Sequence, residues 1–318
     1  MENKACEQGW NGLVWTDPFH PGFESTSRMK QPSGALDRIT DYLRTEDFQT
    51  GEVAVRWSDA DGSWQRRLFV SRPDSAIVLS ITGLGKGKLN CELAMPPMPH
   101  KLILSEPRTE PGWITAHNTY VKGKGGYDSV LRVVNRGGHI TSDGQKVVVT
   151  EADEVLVLGR IEPWTTPLPD SEAWAYSPKN PEFARGVKTN HIADLRNALA
   201  SLPADYANLF KSHAKAHGDI FNRVKLDLAG GADRRLTTDE LLASAQAQKR
   251  LSPALLQKMY DAGRYMFIGS AGELVPNLQG IWTGSWQPAW SGDFTTDANI
   301  QCAIAPGLSG NMFEGMEA

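Results

Sequence analysis

Glu52-Val53-Ala54-Val55-Arg56-Trp57, a turn at Asp59-Ala60-Asp61-Gly62, and the return from Gln65 to Val70 decide how the first half of this chain folds. Polar and apolar residues alternate on either side of the turn, which is the period of a strand with one buried face. Asp and Gly are the residues that a tight reversal needs, so the stretch predicts a hairpin with Asp-Gly at its tip. Outward from it, residues 75–82, 88–94, 129–135, 146–150 and 154–158 are strand-length runs rich in Val, Ile and Leu. Gly137-Gly138 and Asp143-Gly144 punctuate them. Many strands joined by short turns argue for an antiparallel β-sandwich.

The period then changes. Pro163, Pro167, Pro169, Pro178 and Pro181 can continue neither a sheet nor a helix, so the β-domain is expected to end there and a linker to begin. Residues 204–223 read as a helix with Tyr206, Leu209, Phe210, His213, His217, Ile220 and Phe221 near one face. Thr237 and Glu240 have capping-box spacing and open a helix through Gln248. Ser252-Pro253 supplies an N-cap and a first-turn proline for another. That helix is expected to bury Leu255, Leu256, Met259, Tyr260, Gly263, Met266 and Phe267, and to end near Gly269 or Gly272. The expected organisation is a multidomain β + α chain. A β-domain over 1–163 leads through a linker with a helix, 164–235, to a helical domain over 236–318.

A length of 318 residues fits about two domains. A net charge of −4 gives no electrostatic reason to expect nucleic acid or an anionic membrane as partner. No apolar run approaches the ~20 residues that span a bilayer. Residues 1–10 carry no signal-peptide pattern, and the sequence leaves localisation open. Cys6, Cys91 and Cys302 are odd in number and widely spaced, which fits neither a disulfide framework nor a zinc site. Cys302 is expected to be a buried structural thiol. His213 and His217 stand i, i+4 on a helix, yet lack the intervening Glu and a third ligand, so a packed or solvated helix face is favoured over a metal site. The lysine-bearing glycine loops at 83–88 and 122–126 lack phosphate-loop spacing. No metal or cofactor is expected.

The stretch that speaks to function is Pro276-Asn277-Leu278-Gln279-Gly280-Ile281-Trp282, followed by Trp286, Pro288, Trp290, Asp293 and Thr295-Thr296-Asp297-Ala298-Asn299. Three tryptophans stand among amides and carboxylates with little hydrophobic period, as in a loop that builds a site. Flat aromatic faces suit the apolar C–H patches of sugars, and amides and carboxylates suit their hydroxyls. An oligosaccharide or polysaccharide is the expected partner. Trp282, Trp286 and Trp290 are candidate stacking platforms, one or two of them structural. Gln279 touches sugar or, with Asn277, braces the loop backbone. Asp293 binds a hydroxyl or caps a turn.

Asn277-Leu278-Gln279-Gly280-Ile281-Trp282, the Pro/Trp loop and Thr296-Asp297-Ala298-Asn299-Ile300-Gln301 closely resemble the signature of glycoside hydrolase family 95, the inverting α-L-fucosidases and their α-L-galactosidase relatives. The residues from Arg264 to Ser270, Phe221-Asn222-Arg223-Val224 with Leu226-Asp227-Leu228, and the residues from Arg67 to Asp74 extend the resemblance upstream. It implies an (α/α)6 catalytic barrel. Too few residues follow Arg235 to build twelve helices, so the chain reads as an interior fragment holding only the first of them. In the family two asparagines hold the attacking water. Here they map to Asp297 and Asn299, and Asp297 brings a carboxylate able to act as a base itself. The alternative makes Thr295 or Thr296 an N-cap, with Asp297 in the first helical turn. Thr295 replaces a histidine found in many α-fucosidases, which suggests room for the extra hydroxyl of L-galactose. The acid Glu is expected beyond Ala318, leaving this chain alone with little activity. A non-catalytic carbohydrate-binding protein and a disaccharide phosphorylase of similar plan are the alternatives.

Overall fold

The computed structural model describes residues 20–30, 39–85, 87–98, 103–121, 125–165, 190–272, 274–278, 284–285, 289–292 and 294–316. Among them the strands are β1 (Thr26–Met29), β2 (Thr40–Asp47), β3 (Glu52–Asp59), β4 (Gly62–Ser71), β5 (Ala76–Leu84) and β6 (Leu89–Ala94). They continue with β7 (Ile103–Glu110), β8 (Trp113–Tyr120), β9 (Gly125–Arg136), β10 (His139–Ser142), β11 (Val147–Ala152) and β12 (Glu154–Thr165). One sheet has the order β1-β6-β11-β10, the other β2-β3-β4-β5-β12-β9-β8-β7, and every pairing is antiparallel.

The hairpin expected at 52–70 is β3–β4. Its two-residue tip is Ala60-Asp61, and Gly62 already pairs with Asp59, one residue away from the expected tip. The Asp59 carboxylate accepts from Asp61 N (2.9 Å), Gly62 N (3.1 Å) and Trp64 Nε1 (2.8 Å), so one side chain closes the turn and fixes the first core residue after it.

The larger sheet is buried on both faces, and β12 shows it in four residues. Val155 and Val157 enter a core shared with the smaller sheet, beside Trp64, Ile81, Leu89, Leu93, Ile114 and Val149. Leu156 and Leu158 point the other way, toward Leu195, Leu199, Tyr206 and Leu209 of two helices, α1 (Ile192–Ser201) and α2 (Tyr206–Phe221). Alternation along a strand thus feeds two cores. The helices lie in the segment that the sequence assigns to a linker, and they form a third layer on the sheet. His213 is packed, its ring stacked on Phe69 at 4.6 Å, and His217 Nε2 bonds the Phe48 carbonyl at 2.9 Å.

β12 runs to Thr165, past the break expected at Pro163. From Arg160 onward, among the described residues, it pairs only with β9, since its pairing with β5 stops at Gly159. A proline lacking its N–H is tolerated where a strand has one open side.

Cα packing divides the chain into two compact units, Gly22–Gly218 and Asp219–Ala318 with Met1–Pro21. The second holds a 3-10 turn at Gly231–Arg235, α3 (Thr238–Gln248), α4 (Pro253–Ser270), the short α5 (Asn299–Ile304) and α6 (Pro306–Ser309), and a 3-10 turn at Phe313–Met316. The capping box of α3 forms: Glu240 N donates to Thr237 Oγ1 (3.2 Å) and Thr237 N to Glu240 Oε2 (2.7 Å). Ser252 caps α4 through Leu255 N (3.2 Å). Leu241, Ala254 and Leu255 join α3 to α4.

The buried row of α4 differs from the expected one. Ala254, Leu255, Gln257, Arg264, Phe267 and Ile268 are inside, whereas Leu256, Met259 and Met266 are exposed, Met259 by 56%. The reason is polar. Gln257 Nε2 turns inward to donate to the Leu226 carbonyl (3.0 Å), and Arg264 turns inward to carbonyls of its own. The helix is rotated to serve them.

Candidate active site

Of the residues expected to meet sugar, Gln279, Trp282, Trp286 and Asp293 lie outside the described residues. The two ends of the block are described. At its start Pro276 is buried, and Asn277 Oδ1 is buried with no hydrogen-bond partner among the described residues. Farther on, Ala289–Gly292 forms a single 3-10 turn in which Trp290 has φ 57° and a side chain 70% exposed.

The far end is built from residues 295–302. Ala298 lies in the left-handed region (φ 66°, ψ −19°) between Asp297 and Asn299. Ala298 N donates to the Thr296 carbonyl (3.1 Å) and Ile300 N to that of Thr295 (3.0 Å). Gln301 Nε2 reaches back to the Thr296 carbonyl (2.6 Å), and Cys302 N starts the helical ladder at Ala298 O (2.9 Å). α5 opens at Asn299 with Ala298 in the cap position and no side-chain capping bond. The capping role weighed for Thr295 or Thr296 is therefore not taken, and Asp297 precedes the cap. A non-glycine residue in this region costs about 1–2 kcal/mol, which the four bonds around it offset.

Thr295 is half-buried, and Asp297 and Asn299 are exposed. The turn thus offers solvent a carboxylate, which accepts only, and an amide, which both donates and accepts, two residues apart at a helix entrance. Cys302, expected inside, is exposed, because α5 buries none of its side chains. Cys91 is buried, and burial in the sandwich core pushes its thiol up to about 11, against the pull of Arg66.

Two arginines of the same compact unit escape a reading of side-chain patterns. Arg264 donates from Nη1 to the Gly310 carbonyl (2.6 Å) and from Nη2 to those of Ile220 (3.1 Å) and Phe221 (3.0 Å). Arg223 grips Glu314 with both terminal nitrogens (2.9 and 2.6 Å) and donates to the Asn311 carbonyl (3.2 Å). No side-chain spacing in the sequence points to Arg264, whose bonds go to main-chain carbonyls. Nearby Asp261 titrates above the ordinary carboxylate range through burial, with Arg264 pulling it the other way. Asp227 is held below that range, first by the Ala229 N–H, then by Arg234 and Gln257. Among the described residues no group of three or more His, Cys, Asp or Glu could hold a metal ion.

Comparison with known proteins adds an independent line. Residues 205–318 match the family model "Glycosyl hydrolase family 95 catalytic domain", and residues 20–162 match "Glycosyl hydrolase family 65, N-terminal domain". "Probable alpha-fucosidase A" of Aspergillus niger is 27% identical over 310 residues, covering 92% of this chain and 36% of the relative. "Alpha-L-fucosidase 2" of Arabidopsis thaliana is 28% identical over 309 residues, covering 87% of this chain and 34% of the relative. The chain spans about a third of the length of these curated relatives. A solved structure, "Putative kojibiose phosphorylase from human microbiome", superposes with a TM-score of 0.52 at 11% identity. It covers 80% of this chain and 33% of that one, a likeness of fold. Family model and relatives agree with the residues quoted from the sequence: over residues 205–318 the chain is similar to the catalytic domain of glycoside hydrolase family 95, and over most of its length to curated α-fucosidases.

Proposed function

We propose that this protein is a glycoside hydrolase of the α-L-fucosidase type, which releases terminal α-L-fucosyl or α-L-galactosyl residues from an oligosaccharide or polysaccharide with inversion. The observation that carries the reading is the match of residues 205–318 to the family 95 catalytic domain, a span that contains Asp297 and Asn299. In this reading they hold the attacking water between a carboxylate and an amide, and Asp297 draws off its proton as the water attacks. An acid carboxyl on the opposite sugar face protonates the leaving oxygen. We place that acid beyond Ala318, and we read α3 and α4 as the opening of an (α/α)6 barrel. Thr295 leaves room for the C6 hydroxyl of L-galactose, and Trp282, Trp286 and Trp290 offer stacking faces, with Gln279 and Asp293 for hydroxyls.

The test is hydrolysis by the complete gene product of α-L-fucosides and α-L-galactosides, with proton NMR reading the first-released anomer. Release of the β-anomer is the expected result. First release of the α-anomer, or turnover only when phosphate is supplied, overturns it. Asn299→Ala should lower kcat by a factor on the order of 100 to 10,000, the span of positioned acid–base groups.

A further inference from the structure

Arg264 is 3% exposed and pairs with no carboxylate among the described residues. A buried guanidinium is costly unless its N–H groups are satisfied, and here three main-chain carbonyls do so while Nε has no partner among the described residues. Two of those carbonyls, Ile220 and Phe221, are the last of α2, and the third is Gly310. Backbone bonds run from Gly310 toward the candidate site. Gly310 N bonds Pro306 O (2.7 Å), Ala305 N bonds Gln301 O (3.0 Å), and Cys302 N bonds Ala298 O (2.9 Å).

The segment is also seated closely on α4. A Cβ at Gly315 would lie 2.5 Å from Phe267 Cε1 and 3.0 Å from Ala271 Cβ. A Cβ at Gly310 would lie 2.6 Å from the Pro306 carbonyl and 3.1 Å from Arg264 Nη1. Arg264 is the charged centre of this seat, with its Cζ 5.7 Å from the Phe221 ring.

We propose that Arg264 is a positioning residue: by holding the Gly310 carbonyl against the end of α2, it fixes where the Asp297–Asn299 turn stands. The proposal rests on the hydrolase reading above. It also accounts for an inward arginine that makes no ion pair among the described residues, since its carbonyls tie the end of one helix to a segment roughly ninety residues on through a single side chain.

The experiment compares Arg264→Ala, Arg264→Lys and Gly310→Ala in the complete gene product. Displacement of a catalytic group by about 1 Å costs on the order of 100-fold, so Arg264→Ala is expected to lower kcat by that factor while KM moves by less than about threefold. Added guanidinium should restore part of the kcat of Arg264→Ala and none of any other variant's, and Arg264→Lys should fall between. Gly310→Ala, which displaces the same carbonyl with the arginine intact, should share the kcat loss. Hydrogen exchange in Arg264→Ala should speed up at 298–305 and stay unchanged in α3, which a general loss of folding would not spare. Retained kcat, a loss confined to KM, or exchange that rises equally in α3 would overturn the proposal. If the unmodified protein hydrolyses neither sugar, the reaction reading fails by itself. Exchange at 298–305 then still judges Arg264, and unchanged rates there sink it.

Discussion

Arg132 does at the end of α1 what Arg264 does at the end of α2. Its Nη1 donates to the carbonyls of Leu199 (2.8 Å), Ala200 (3.3 Å) and Leu202 (3.1 Å), at the C-terminal end where a helix's last carbonyls run short of donors. A cation there also meets the negative end of the helix dipole. Arg132→Met should cost about 1.5–3 kcal/mol, the worth of hydrogen bonds to a charged group. Its urea midpoint should drop with the slope unchanged, and an unmoved midpoint would show that the clamp is idle. Neither arginine is legible in the sequence, because its partners are main-chain carbonyls distant in the chain, and no side-chain pattern encodes them. Asp297 and Asn299 are candidates through the resemblance of residues 296–301 to a family signature, and their role is a proposal. What the sequence does not give is the left-handed Ala298 between them, which ordinary alanine preference argues against.

Helix α2 carries the clearest dependence on pH. His213 and His217 are both buried, their rings 5.8 Å apart, under the turn that joins β2 to β3. Burial pushes His213 down to about 4, with His217 and Arg72 adding repulsion and Asp74 opposing it. Burial also lowers His217, against a bond from its ring to Phe48 and the charge of Asp47. An imidazole lowered from 6.5 to about 4 binds its proton more readily when unfolded. It therefore contributes stability in full above pH 6.5, on the order of 3 kcal/mol for His213, and loses it as pH falls through about 4. His213→Phe, which keeps a ring on Phe69, should flatten that slope in unfolding free energy measured from pH 7 to 4. An identical slope would assign the titration elsewhere. The caps of α3 and α4 were legible because capping is local chemistry, and the face of α4 was not, because two inward polar side chains rotate it away from its apolar row. Strand β7 was missed for a related reason: it is an edge strand with Pro107 and alternating charges, so half its pattern answers to solvent.

Taken whole, the chain leaves apolar surface uncovered in its second unit. Leu256, Met259 and Met266 follow one side of α4, and Leu242 and Leu251 add to the exposed apolar area. Leu255 and Phe267 of the same helix are buried, as expected of them, and take no part in this surface. The 318-residue chain should self-associate with rising concentration in sedimentation, and Met259→Glu with Met266→Glu should reduce this while leaving the circular dichroism unchanged. Association unaffected by the pair would move the sticky surface elsewhere. The tight seat of Gly310 and Gly315 reaches beyond folding into inheritance. Every one-base change in a glycine codon that alters the residue installs a Cβ, so neither position has a sterically silent missense neighbour. Among descendants of this gene, Leu308 and Ser309 are free to drift on the exposed surface, while the two glycines have no short mutational path away from themselves.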